Sequence, residues 1–89
     1  MVPSPEGVWC RIVDHAGETF TQIRGGEFTY AVEGDYLDLD RTNQKVPRQH
    51  VEEALDLVPL ANTMPLQHLR APSYIFAILM DERIRAGEW

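Results

Sequence analysis

With a single cysteine, Cys10, the chain can form no intramolecular disulfide and cannot by itself build a thiolate-rich metal site. Cationic side chains are scarce: eight Lys and Arg stand against 14 Asp and Glu, a formal net charge of −6. That balance repels nucleic-acid phosphates and anionic membrane at long range, and lowers the expectation of either partner. No apolar run approaches the ~20 residues of a membrane-spanning helix. The first seven residues hold two prolines and a glutamate in place of the apolar stretch of a secretory signal. A cytosolic location is the expectation. Phosphate loops and nucleophile elbows are missing too. Gly25-Gly26 lacks the lysine and spacing of the first, and no Gly-x-Ser-x-Gly occurs.

What the chain does have is an ordinary globular composition, 44% apolar and 25% charged over 89 residues, which suits one domain around one core. Residues 1–7 read as an irregular lead-in and 8–89 as a single α+β domain. Glycines arrive at short, even intervals in His15-Ala16-Gly17-Glu18, Arg24-Gly25-Gly26-Glu27 and Glu33-Gly34-Asp35-Tyr36. Between them lie runs rich in β-branched and aromatic residues, the mark of hairpins. The pattern predicts a four-stranded antiparallel meander over 8–14, 18–24, 27–33 and 36–41. Two-residue turns at Gly34-Asp35, Gly25-Gly26 and Ala16-Gly17 would set Val32 against Leu37, Tyr30 against Leu39, Ile23 against Phe28 and Cys10 against Ile23. Val8, Cys10, Ile12, Ile23, Phe28, Tyr30, Val32, Leu37 and Leu39 would then share the core face. Trp9, Val13, Phe20 and Ala31 would fall on a mixed outer face, with Trp9 opposite Arg24 and Trp89 available to cover it.

From Pro47 the period changes. Val51, Ala54, Leu55 and Val58 recur at i, i+3, i+4 and i+7, predicting an amphipathic helix that Pro59 ends. Asn62-Thr63 before Pro65 opens a short second helix, stopped by Pro72. Ser73 would cap a third helix over 74–85, with Gly87 just past its end. The helical part, 47–86, is expected to pack on one face of the 8–41 meander. Residues 74–80, Tyr-Ile-Phe-Ala-Ile-Leu-Met, are apolar on every side of a helix. Such a segment is a buried central helix, or else an interface with a second copy or a partner.

Candidate sites follow from these placements. The interaction residues are Trp9, Val13 and Phe20 on the outer sheet face and Tyr74, Ile75 and Met80 on the apolar segment. The stretch 41–50 holds three cations, Arg41, Lys45 and Arg48, and no acid, and it runs into a helix N-terminus that favours anions. It is a candidate anion or nucleic-acid site; the plainer expectation is surface pairing with nearby acids, and no aromatics interleave for base stacking. A calcium loop starting at Asp38 fails, with Asn43 where glycine is needed and Gln49 where glutamate is needed. His50-Val51-Glu52 lacks the paired cysteines of a zinc deaminase. His15, His50 and His68, even with Glu53 beside His50, make no metal spacing, and Cys10 reads as a small buried hydrophobe. No cofactor or metal is expected. The leading reading is a protein-interaction module or accessory subunit that self-associates or joins a larger protein. A nucleic-acid-associated accessory protein comes second, and a small metal-binding or hydrolytic enzyme third.

Overall fold

The first described element is a helix. In the computed structural model, which describes residues 4–89, α1 runs over Pro5–Asp14. Ser4 caps it by accepting from the Gly7 amide, Pro5 fits the first turn without needing its absent N–H, and Glu6 meets the positive end of the helix. This corrects the strand expected over 8–14. Val8 and Ile12 are buried as expected, but Trp9 is buried beside them and Cys10 is exposed. Apolar neighbours at 8, 9 and 12 make a helical stripe, and a strand would have pointed Trp9 away. The Ser-Pro-Glu start belongs to that helix; the first three residues of the expected lead-in lie outside the described residues.

The remaining strands form two small antiparallel sheets instead of one meander. The first pairs β1 (Phe20–Thr21) with β2 (Glu27–Phe28). The second has the order β3 (Tyr30–Glu33), β4 (Tyr36–Leu39), β5 (Lys45–Pro47). The β3–β4 register matches expectation, with Tyr30 opposite Leu39 and Val32 opposite Leu37. Gly34, at a φ of 59°, takes the first corner of its two-residue turn. Burial alternates cleanly there: Tyr30, Leu37, Leu39 and Val46 face inward while Ala31, Glu33, Tyr36 and Lys45 face out. The strand β5 lies inside the basic stretch 41–50, for which the sequence pattern predicts no strand. Between β2 and β3 the ladder breaks at Thr29, whose amide donates to the Asp40 carboxylate.

The β1–β2 register is displaced by three residues. Phe20, not Ile23, stands opposite Phe28, because the turn is wider than Gly25-Gly26. The Gly25 amide closes on the Gln22 carbonyl at 2.8 Å, and the Gln22 amide bonds the Gly26 carbonyl at 2.7 Å. Ile23 and Arg24 become the corners of the turn. An odd displacement turns every side chain over, so Phe20 enters the core and Ile23 leaves it.

The helices complete the core. The α2 helix (Arg48–Leu55) buries Val51, Ala54 and Leu55, as its period predicts. A 3₁₀ turn covers Met64–Leu66. The single helix expected over 74–85 is two: α3 (Pro72–Leu79) and α4 (Glu82–Arg85). Asp81 breaks the run by capping α4, its carboxylate accepting from the Arg83 amide at 2.9 Å. Ser73 is not the cap of α3; Ala71, in the left-handed region at φ 48°, precedes it. The indole of Trp89 donates to the Leu79 carbonyl at the end of α3, so it does not cover the sheet face. Ile75, Ala77, Ile78 and Leu79 are buried, with Tyr74, Phe76 and Met80 partly so. The apolar segment is thus chiefly core. Phe20, Phe28, Tyr30 and Tyr74 form a linked aromatic group, with ring centroids 4.9–6.1 Å apart. The Tyr30 hydroxyl donates to the Ile12 carbonyl, which ties the sheet to α1. Among the described residues no polar or charged side chain is buried, tyrosine apart.

Candidate functional site

The expected interaction residues are dispersed. Trp9, Phe20 and Ile75 are buried. Trp9 lies beneath Arg48, whose guanidinium is 5.2 Å from the indole centroid; Arg24, its expected partner, is elsewhere. Phe20 lies beneath Arg83 at 3.9 Å. Tyr74 packs edge-on against Phe28, and Met80 is half-buried at the end of α3. Of the six expected interaction residues, Val13 alone, on α1, is a large exposed apolar residue.

The three expected cations are occupied. Lys45 pairs with Glu33 at 3.1 Å, and Arg41 donates to the Glu27 carbonyl at 2.9 Å. Arg48 opens α2 and borders a concavity of about 320 Å³ that also takes in Asp35, Tyr36, Gln49 and Glu52. Its guanidinium lies 3.8 Å from Asp35 and 3.5 Å from Glu52. An anion at that helix N-terminus would meet two carboxylates that already share the cation.

The histidines are separated. His15 bonds Glu18 at 2.9 Å, the Nδ1 atom of His50 accepts the Arg70 amide at 3.2 Å, and His68 is exposed. Among the described residues no group of three or more His, Cys, Asp or Glu is placed to hold a metal ion. The strongest charge cluster has a structural task. Arg83 bridges Asp81 at 2.9 Å and Glu18 at 3.0 Å, and donates to the Thr19 carbonyl. Hydrogen bonds from His15 and Arg83 hold the Glu18 carboxyl below the usual range, and the Arg83 bond does the same for Asp81.

A different surface stands out. The tip of the β1–β2 hairpin leans on the start of α3, where the side-chain amide of Gln22 donates to the Ser73 hydroxyl at 3.1 Å. Between them lies a groove of about 240 Å³, lined by Gln22, Ile23, Arg24, Thr63 and Ser73. Ile23 is 61% exposed, and Met64, next in sequence to Thr63, is 72% exposed. Gly25 makes the hairpin tip possible, because it turns through a φ of 91° that residues with a side chain rarely adopt. None of these residues stood out in the sequence. The available signal was Ile23-Arg24 directly before Gly25-Gly26: a turn starting at Gln22 leaves an apolar side chain at a corner, with no core within reach.

No described helix is long and apolar enough to cross a membrane. No protein-family model matches the chain, and neither a curated protein nor a solved structure shows significant similarity to it.

Proposed function

We propose that this chain is a small protein-interaction module, with no reaction of its own, that receives a polypeptide segment at the groove between the β1–β2 tip and the start of α3. The observation that carries the reading is the exposure of Ile23, which lines that groove, and of Met64, next in sequence to its wall residue Thr63. The chain buries Val8, Ile12, Phe20, Leu66, Leu79 and Ile84 almost completely, whereas Ile23 and Met64 are left more than half exposed. Single exposed apolar residues are ordinary on protein surfaces; two beside a groove with polar walls have the make-up of a contact site.

A library of short random peptides displayed on phage, selected against the folded chain, tests this. The expected result is enriched peptides whose binding is lost in the double variant Ile23→Glu, Met64→Glu, which keeps the parent's melting temperature. Selection of nothing, or of peptides that bind the double variant equally well, contradicts it. Self-association is the second form of the same reading, favoured by the partly exposed Tyr74 and Phe76 of α3 and Met80 just past its end. Sedimentation equilibrium over a wide concentration range tests it: dimer formation that Phe76→Glu reverses supports it, and a monomer throughout removes it.

A further inference from the structure

We infer that the groove at the hairpin tip selects a partner segment in which a carboxylate stands beside an apolar side chain, the carboxylate pairing with Arg24 and the apolar group lying against Ile23. The inference rests on the interaction-module reading and names the partner's chemistry.

Charge complementarity is the basis. Among the described residues Arg11, Lys45, Arg48 and Arg83 are in ion pairs with acids, and Arg41 and Arg85 donate to carbonyls. Arg24 and Arg70 make neither kind of bond with their side chains, and of the two only Arg24 lines the groove. In a chain with 14 acidic side chains, none of the five groove residues is acidic. The walls are also rich in donors. The Ser73 hydroxyl accepts from Gln22 and keeps its own O–H free, and the Thr63 hydroxyl accepts from Gln67 at 3.4 Å and does likewise. A guanidinium and two hydroxyls with no anionic acceptor among them call for a ligand that brings acceptors, and arginine pairs with a carboxylate through two parallel bonds.

Size and field select a polypeptide. About 240 Å³ is below the usual range for small-molecule pockets and suits one or two side chains of a longer segment. One unpaired cation in the groove, on a chain of net charge −6, does not hold a polyanion such as nucleic acid, which needs several phosphate contacts. A second copy meeting groove to groove would bring Arg24 towards Arg24. Exposed acidic–apolar pairs on the chain itself, Val13-Asp14, Asp35-Tyr36 and Asp56-Leu57, are the rival occupants, and the test includes them.

The experiment selects displayed random peptides on the folded chain and synthesises an enriched one. The expected peptides carry Asp or Glu next to Leu, Ile, Met or Phe. Binding should fall at least about tenfold in Arg24→Glu, the scale for loss of one charge-assisted pair. It should return when the Arg24→Glu protein meets the same peptide with its acids replaced by lysine. Ile23 and Arg24 occupy an exposed turn, so both variants should melt with the parent; Arg24→Gln repeats the measurement without charge reversal. Enrichment of neutral or basic peptides, or unchanged binding in Arg24→Glu, overturns the inference. If binding then still depends on Ile23, the module reading stands alone; if it depends on neither, both fall. A parent dimer dissolved both by Arg24→Glu and by any one of Asp14→Lys, Asp35→Lys and Asp56→Lys would make the occupant a second copy, and would overturn the separate partner.

Discussion

Phe20 and Ile23 mark the two limits of exposure in one hairpin, and the difference is measurable. Phe20 is fully buried, in contact with Phe28 and Tyr30 and covered by the Arg83 guanidinium. Phe20→Ala should cost about 3–5 kcal/mol, a large share of the stability of a domain this size. Ile23→Glu should change stability by no more than about 0.5 kcal/mol, because its side chain stands in water. Urea unfolding of the two variants checks both values; similar costs would contradict the register. Arg83 also shapes the acid limb of stability. Glu18 and Asp81 are held below their ordinary range in the folded state. The unfolded chain therefore binds more protons as pH falls below about 4, so their contribution is present above that pH and is lost on acidification. Arg83→Met should be less stable near neutrality and lose less between neutral pH and pH 3 than the parent does. An unchanged acid limb, followed by circular dichroism against pH, would contradict that role.

At the scale of elements, local chain chemistry decided more than periodicity. Period-2 and period-3.6 patterns both fit Val8 and Ile12, and only the Ser4-Pro5-Glu6 start and the burial of Trp9 resolve α1 as a helix. The β3–β4 hairpin was legible because its two-residue turn at Gly34 leaves one register. The β1–β2 hairpin was not, since two glycines in a row permit more than one turn and an odd difference inverts the faces. The α2 stripe was legible, whereas the break before α4 rests on one carboxylate, that of Asp81. The candidate groove was illegible for a related reason: Thr63 and Ser73 reach the hairpin tip only through tertiary packing. Helix ends give a prediction at this scale. Ala86 ends α4 at φ 49° and is exposed. The left-handed region costs a non-glycine residue about 1–2 kcal/mol, against about 0.5–1 kcal/mol of extra ordering for glycine. Ala86→Gly should therefore raise the melting temperature by a few degrees. Ala71→Gly should gain less, because the Ala71 methyl is buried. A fall in stability for Ala86→Gly would contradict this account of the cap.

Across the whole molecule, charge and burial divide the surface into two kinds. Most cations are paired with acids or backbone, and one hydrophobic cluster joins all four helices to both sheets. The groove beside Ile23, Arg24 and Ser73 is an acid-free surface with apolar residues at its margin, on a chain whose overall charge repels anionic polymers. Raising the salt concentration should weaken an acidic peptide bound there, since an exposed arginine–carboxylate pair is screened. The concavity around Tyr36, Arg48 and Glu52 is larger, and it is the natural competitor. The most direct measurement is an amide ¹⁵N–¹H correlation map of the labelled chain, titrated with a peptide selected on it. The account predicts shifts concentrated at Gln22 to Gly26, Thr63, Met64 and Ser73. Shifts centred instead on Asp35, Tyr36, Arg48 and Gln49 would contradict it.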